Sequence, residues 1–425
     1  MITRPERDAA GVALRSCRRS LYRPGRLARH TGILLVGLGV RTAAQGLLFI
    51  LLAQALGARG YGEFVAALAV ATLFAPLVGC GATALMVRAT ARRSESFPVE
   101  FGRGLKLIGL TGVPLVGVVL GAAPWALGPT CSWGILVPVT VAELLCAPLV
   151  EFGGGAFQAL ERPVRAAILF SALAVLRLGG LLVLLDQGAP LRPEAWAVWH
   201  LAASALAAAW AMRSAAGLGR PRWSGGLRRA AQEGFFFALG GASHRAQADL
   251  DKAILARFDG AGATGVYSAA YRFADLATLP VQALLAASLA RFFRVGEGGT
   301  RASLRYAVGL LPVPVAYALL AGLTLALGAD FLPRLLGPSF AGAAEVVRWL
   351  APLPLVTLLR SFLATVAGAS DRQRLNGIVH GLGATCNAGL NLLWIPLWGW
   401  RGAVLATFAS EGLMILLLLR DAGRR

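Results

Sequence analysis

Charge is scarce in this sequence: only 15% of its 425 residues are Asp, Glu, Lys or Arg, against about 25% in soluble domains. Lysine is almost missing. Lys106 and Lys252 stand alone among 41 basic residues, and the rest are arginines. The five cysteines (Cys17, Cys80, Cys131, Cys146, Cys386) form no C-x-x-C pair and follow no regular spacing. That excludes a disulfide framework and a zinc site. Long polar segments are lacking too, and no stretch between apolar runs could house a soluble catalytic domain. What remains is apolar: 57% of the residues, with a mean hydropathy of +0.66. A soluble enzyme, a disordered chain and a nucleic-acid-binding module are excluded together. No cofactor or metal motif is present.

The apolar residues fall into runs of membrane-spanning length, roughly 20 residues each. We place them at about 32–56, 62–87, 104–127, 131–157, 164–185, 195–212, 231–256, 263–290, 304–327, 342–367, 375–397 and 402–420. Twelve spans make an all-α integral membrane protein. Residues 1–30 carry eight arginines and no long apolar run. They are expected to form a poorly ordered basic tail.

Net charge of +20 follows from how the basic residues are distributed. With the N-terminus in the cytosol, 29 of the 41 fall in the termini and loops of that side, five in the opposite loops and seven inside spans. This alternation is the positive-inside pattern. It places both termini in the cytosol, at a cell membrane, and explains the charge without a polyanionic partner.

A shift of 203 residues brings the chain onto itself. Ala53, Gly57, Ala58, Gly62, Ala66, Ala67, Ala71 and Leu73 fall on Ala256, Gly260, Ala261, Gly265, Ala269, Ala270, Ala274 and Leu276. Twelve spans then divide into two bundles of six in the same orientation, 31–218 and 219–425, facing each other across a central cavity.

Several spans carry charge, which costs on the order of 3 kcal/mol at mid-bilayer unless protein or water receives it. Span 1 has Arg41 and Gln45. Span 4 has Glu143 and Glu151, and span 5 has Arg177. Span 7 holds His244, Arg245, Gln247, Asp249, Asp251 and Lys252, with Arg245, Asp249 and Lys252 on one face. Span 8 carries Tyr267, Tyr271, Arg272 and Asp275. Arg348 and Arg360 lie in span 10, Asn376, His380, Asn387 and Asn391 in span 11, and Glu411 in span 12. Guanidinium forks match phosphate oxygens, so a cavity of this kind suits an anionic group. Internal pairing, such as Arg245–Asp249 or Arg272–Asp275, is the competing reading for each single residue.

Three stretches carry a family resemblance: LGARGYGEFVAAL (Leu56–Leu68), DLDKAILARFDGAGATGVYSAAYRFADL (Asp249–Leu276) and NAGLNLLWIPLWGWRGAVLATFASEGLMIL (Asn387–Leu416), with LGPSFAGAAEVVRWL (Leu336–Leu350) a weaker fourth. They resemble polysaccharide biosynthesis proteins of the O-antigen and exopolysaccharide flippase type. That group belongs to the multidrug/oligosaccharidyl-lipid/polysaccharide exporter superfamily. The resemblance implies a transporter, not an enzyme. It would move a polyprenyl-pyrophosphate-linked oligosaccharide between leaflets, as a monomer in the bilayer beside glycan polymerase and glycosyltransferases. Arg41, Arg245, Lys252, Arg272 and Arg360 are the expected head-group contacts. Asp249, Asp251 and Glu411 are the expected ion-coupling groups. A drug/cation antiporter of the same superfamily and a polytopic glycan polymerase or glycosyltransferase are the alternatives.

Overall fold

The computed structural model describes residues 24–128, 132–223, 225–370 and 372–423. Cys17, Cys131 and most of the expected basic tail lie outside these residues. The end of that tail, 24–30, is the start of the first helix.

Pro24–Phe74 is one helical element broken at Gly57 (φ 63°, ψ 176°). It is two spans, α1 (24–56) and α2 (from 58 onward). Among the described residues, eight helices are long and apolar enough to cross a membrane, with Gly37–Arg92 counted as one. The Gly57 turn makes that one two. Leu227–Phe258, Gly260–Gly296 and Gln373–Trp398 are not among those eight but are long enough to cross as well. Twelve spans result. They continue as α3 (Phe97–Leu127), α4 (Trp133–Ala159), α5 (Pro163–Asp186), α6 (Pro193–Ala216), α7 (Leu227–Phe258) and α8 (Gly260–Gly296). The last four are α9 (Thr300–Leu310 continued by Pro312–Gly328), α10 (Ala343–Ala369), α11 (Gln373–Trp398) and α12 (Trp400–Gly423). Proline starts α5 and α6, where a missing N–H costs nothing.

One expected feature is corrected. The second span is not a continuous helix over 62–87. It is interrupted at Ala75–Gly81, where Val78 is extended and Gly79, Cys80 and Gly81 have φ of 72°, 46° and 72°. Pro76 begins the break, and the freed Gly79 N–H donates to Thr111 Oγ1 of α3 at 2.7 Å. Broken backbone at this depth survives because protein, not lipid, receives its polar groups.

The outer surface is apolar. Leu110, Trp125, Leu320, Leu327, Leu393 and Leu397 are all more than 60% exposed, the pattern of a face solvated by lipid rather than water. The main core, including Phe49, Tyr61, Phe64, Trp196, Tyr267 and Phe340, joins the first six helices to the last six.

The internal repeat is visible in contacts. Gly57 and Gly260, 203 residues apart, both have positive φ at the same turn. A Cβ at Gly62 would collide with the Ala261 carbonyl, and one at Gly265 with the Ala58 carbonyl. Each half thus presents the same glycine to the same partner of the other, about a pseudo-two-fold axis. Gln54 Nε2 to Leu335 O (2.7 Å) and Ala58 N to Ser339 Oγ (3.1 Å) close this turn end further.

At the end bearing both termini the symmetry is broken. There α2 packs on α7: a Cβ at Gly234 would strike the Cys80 carbonyl, and Arg88 pairs with Glu233 at 3.1 Å. The equivalent α1 leans on α5 instead, where Ser171 Oγ donates to Gly37 O at 3.1 Å. The space between α1 and α8 is left as a cavity.

Candidate functional site

This cavity has a volume of about 560 Å³. Leu38, Leu276 and Leu279 form part of its lining and are more than 40% exposed, so it opens sideways onto the apolar surface. Arg41, Arg245, Lys252 and Arg272 line it together with Asp249 and Asp275. Four of the five cations singled out in the sequence therefore meet in one place. Four positive groups face two carboxylates.

The repeat explains how they meet. Seven lining positions occur as equivalent pairs across the 203-residue shift: Thr42/Arg245, Gly46/Asp249, Phe49/Lys252, Val65/Ser268, Leu68/Tyr271, Ala69/Arg272 and Thr72/Asp275. The first member of each pair, from α1 or α2, is uncharged. The second, from α7 or α8, is polar or charged. Pseudo-symmetric walls of one shape thus differ in chemistry: one charged, the other apolar apart from Arg41, Gln45 and two threonines.

The cations differ in what already holds them. Lys252 is engaged within α7: its Nζ donates to Ala248 O and lies 2.8 Å from Asp249 Oδ1, with the Tyr271 ring 5.3 Å away. Asp249 accepts a hydrogen bond from Thr72 Oγ1 at 3.1 Å, across to α2. Arg245 stands 3.7 Å from Asp249 with half of its side chain exposed. Arg41 lies over the Phe170 ring at 5.8 Å and Arg272 over the Phe49 ring at 5.2 Å. Such contacts with ring faces hold a guanidinium without using its donors. Arg272 and Asp275 form no ion pair, although their spacing allowed one. Arg41, Arg245 and Arg272 are thus the side chains with donors to spare.

Arg360 does not line this cavity. Its Nε donates to Glu411 Oε2 at 2.6 Å, both side chains being less than 20% exposed. Arg348 also serves a carboxylate, Asp330 at 2.6 Å, outside the cavity.

Asp251 is buried away from the cavity, 2% exposed. It accepts from the Tyr267 hydroxyl at 2.5 Å and from its neighbour's N–H, Lys252 N, at 2.8 Å. Tyr267 also meets Thr407. From there Ser410, Asn387 and Asn391 form a buried chain, with Asn387 Nδ2 to Ser410 Oγ at 3.1 Å and Asn391 Nδ2 to Asn387 Oδ1 at 2.9 Å. Asn391 Oδ1 has no partner among the described residues. These groups lie on α7, α8, α11 and α12. Among the described residues no cluster of three His, Cys, Asp or Glu suits a metal ion.

His200 escaped the sequence reading, which had Glu143 and Arg177 as charges of separate spans. Glu143, on a π-turn of α4 (Ala142–Cys146), accepts from Arg177 Nη2 at 3.0 Å and contacts His200 Nε2 at 2.9 Å. Arg177 also donates to Ser204 at 2.9 Å. His200 was recognisable as the one titratable residue in the middle of span 6. Glu143, Glu151 and His244 line a second cavity of about 400 Å³, and Arg245 lines both.

The overall fold is similar to that of solved transporters. The lipid II flippase MurJ, in an inward closed conformation, aligns over 92% of this chain and 87% of its own, at 13% identity and a TM-score of 0.71. An inward-facing multidrug resistance MATE family transporter of the MOP superfamily aligns over 92% and 98%, at 14% identity and a TM-score of 0.70. An outward-facing one aligns over 91% and 95%, at 14% identity and a TM-score of 0.55. No curated protein matches the sequence. A family model described as "Polysaccharide biosynthesis protein" matches residues 27–292, more than half of the chain and every helix that lines the charged cavity, and this multi-pass membrane protein therefore belongs to the polysaccharide biosynthesis protein family.

Proposed function

We propose that the chain is a flippase that carries a polyprenyl-pyrophosphate-linked oligosaccharide from the inner to the outer leaflet of the cell membrane. The observation that carries this reading is the cavity between α1 and α8. It gathers Arg41, Arg245 and Arg272 with free donors and opens sideways among exposed leucines. A pyrophosphate leaving water needs replacement donors, and guanidinium forks supply them. The prenyl tail stays in lipid at the opening while the head group crosses. Residues 31–218 and 219–425 act as two bundles that rock about the pseudo-two-fold axis. With both termini cytosolic, the closed turn end faces out and the cavity serves the inner leaflet. The better alignment with an inward-facing than with an outward-facing transporter supports that state.

A drug/cation antiporter of the same superfamily would call for an acidic cavity, and four cations against two carboxylates favour an anion. A glycan polymerase or glycosyltransferase would need an activating base on a sizeable outer loop. Coupling to an ion falls to Asp251, whose oxygen-lined surroundings are the most suitable. Asp249 and Glu411 are each held by a cation.

The test is surface glycan in cells lacking the protein, complemented by variants at matched membrane levels. Arg41→Ala and Arg245→Ala are expected to abolish it, and Arg245→Lys to restore only part. Arg222→Lys, in the loop before α7, and Arg228→Lys, in the first turn of α7, should be near normal. Normal glycan from the Arg41→Ala/Arg245→Ala double variant would overturn the anion cavity.

A further inference from the structure

A second basic site lies on the outside of the bundle, apart from the transport cavity. The end of α8 and the start of α9 carry Arg291, Arg294, Arg301 and Arg305 within fifteen residues, with Glu297 the only acid among them. None of the four makes an ion pair among the described residues, whereas Arg88, Arg103, Arg229 and Arg372 at the same end of the bundle each hold a carboxylate. Arg291, Arg305 and Tyr306 line a groove of about 610 Å³ with Ala302, Gly309 and Leu310. It shares no lining residue with the transport cavity.

The groove has a polar top and an apolar floor. Residues 302, 305, 306, 309 and 310 follow helical spacing, so they form one stripe about 12 Å long on α9, in which Gly309 and Leu310 lie about 6–8 Å below Arg305. Tyr306 is fixed between the Phe292 ring at 4.8 Å and the Arg291 guanidinium at 5.2 Å. Its hydroxyl has no protein partner among the described residues. Gly309 makes the hollow: a Cβ there would meet nothing within 4 Å. Exposed Phe293 and Val308 extend the apolar surface beside it.

We propose that this groove binds one acidic phospholipid of the leaflet at the termini end, its phosphate held by Arg291 and Arg305 and an acyl chain laid along Gly309 and Leu310. Charge complementarity selects the head group, and unpaired arginines at a membrane surface attract acidic lipids. The apolar stripe below them selects a lipid over a soluble phosphate.

The experiment is native mass spectrometry of the delipidated full chain with phosphatidylglycerol, phosphatidylcholine or soluble glycerol phosphate. The wild type is expected to retain one phosphatidylglycerol and to bind phosphatidylcholine roughly tenfold or more weakly. Arg291→Gln/Arg305→Gln should lose that preference. Gly309→Leu keeps every charge and puts a side chain into the hollow, where its Cβ meets nothing within 4 Å, so it too should lose phosphatidylglycerol while its melting temperature is unchanged. Equal binding of the two lipids would overturn the proposal, as would undiminished phosphatidylglycerol in Gly309→Leu, which would mean surface charge alone. Displacement by glycerol phosphate at the same concentration would make it a free-phosphate site and overturn the lipid.

Discussion

Gly62 and Gly265 are the same residue of the repeat, and each is pressed against the backbone of the other half, at the carbonyls of Ala261 and Ala58. A side chain at either would push the two halves apart at the turn end. Gly62→Val and Gly265→Val are expected to destabilise the closed form by about 1–3 kcal/mol each, the usual cost of overpacking. The two effects should be alike because the contacts are. Melting in detergent measures them, and an unchanged melting temperature for either would remove this clasp from the mechanism of closure.

Arg272 and Asp275 stand three residues apart on α8 and do not pair. Neutralising both should therefore not rescue what neutralising one loses. Surface glycan is expected to fall strongly with Arg272→Gln and remain low in Arg272→Gln/Asp275→Asn. Full rescue in the double variant would make the pair structural.

Arg360 and Glu411 show the opposite behaviour. Their contact at 2.6 Å is largely enclosed between α10 and α12, so removing one partner strands the other. Arg360→Met or Glu411→Met alone should cost roughly 3 kcal/mol or more and lower membrane accumulation, while the double change recovers most of it. Quantifying the folded protein in membranes decides this. A double variant as depleted as the singles would point to a role beyond pairing.

The arginine distribution fixes an expected sidedness. A reporter fused after Arg222 should read cytosolic and one fused after Pro190 external. An external signal after Arg222 would reverse the direction assigned to the cavity.

Much of the fold could be read before any coordinates. The twelve spans were readable because each must satisfy its own backbone in lipid, which forces long apolar helices. α7, α8 and α11 were placed with the others as apolar runs, at 231–256, 263–290 and 375–397. The break at Ala75–Gly81 was missed because Gly and Pro also occur in unbroken spans. What distinguishes this one is Thr111, 32 residues on, receiving the freed N–H.

The charged residues of the site were legible as types and depths, and the pairings were not. Arg245–Asp249 and Arg272–Asp275 have equally suitable spacing, yet only the first forms. In the second, Arg272 turns to the Phe49 ring of the other half. His200 was passed over because its partner Glu143 lies two helices away.

The sequence alone determined that this chain lies in a membrane, how often it crosses and that its halves repeat. All of these follow from local rules: backbone satisfaction in lipid, the cost of charge, and periodicity. Only the tertiary structure decided that Arg41, Arg245, Lys252 and Arg272 share a cavity while Arg360 does not. That depends on where α1 goes at the termini end. Its repeat equivalent, α7, packs on α2, but α1 packs on α5 through Gly37 and Ser171, and the gap this leaves beside α8 is the charged cavity. Contacts between distant helices chose between two arrangements that the repeat made locally equivalent.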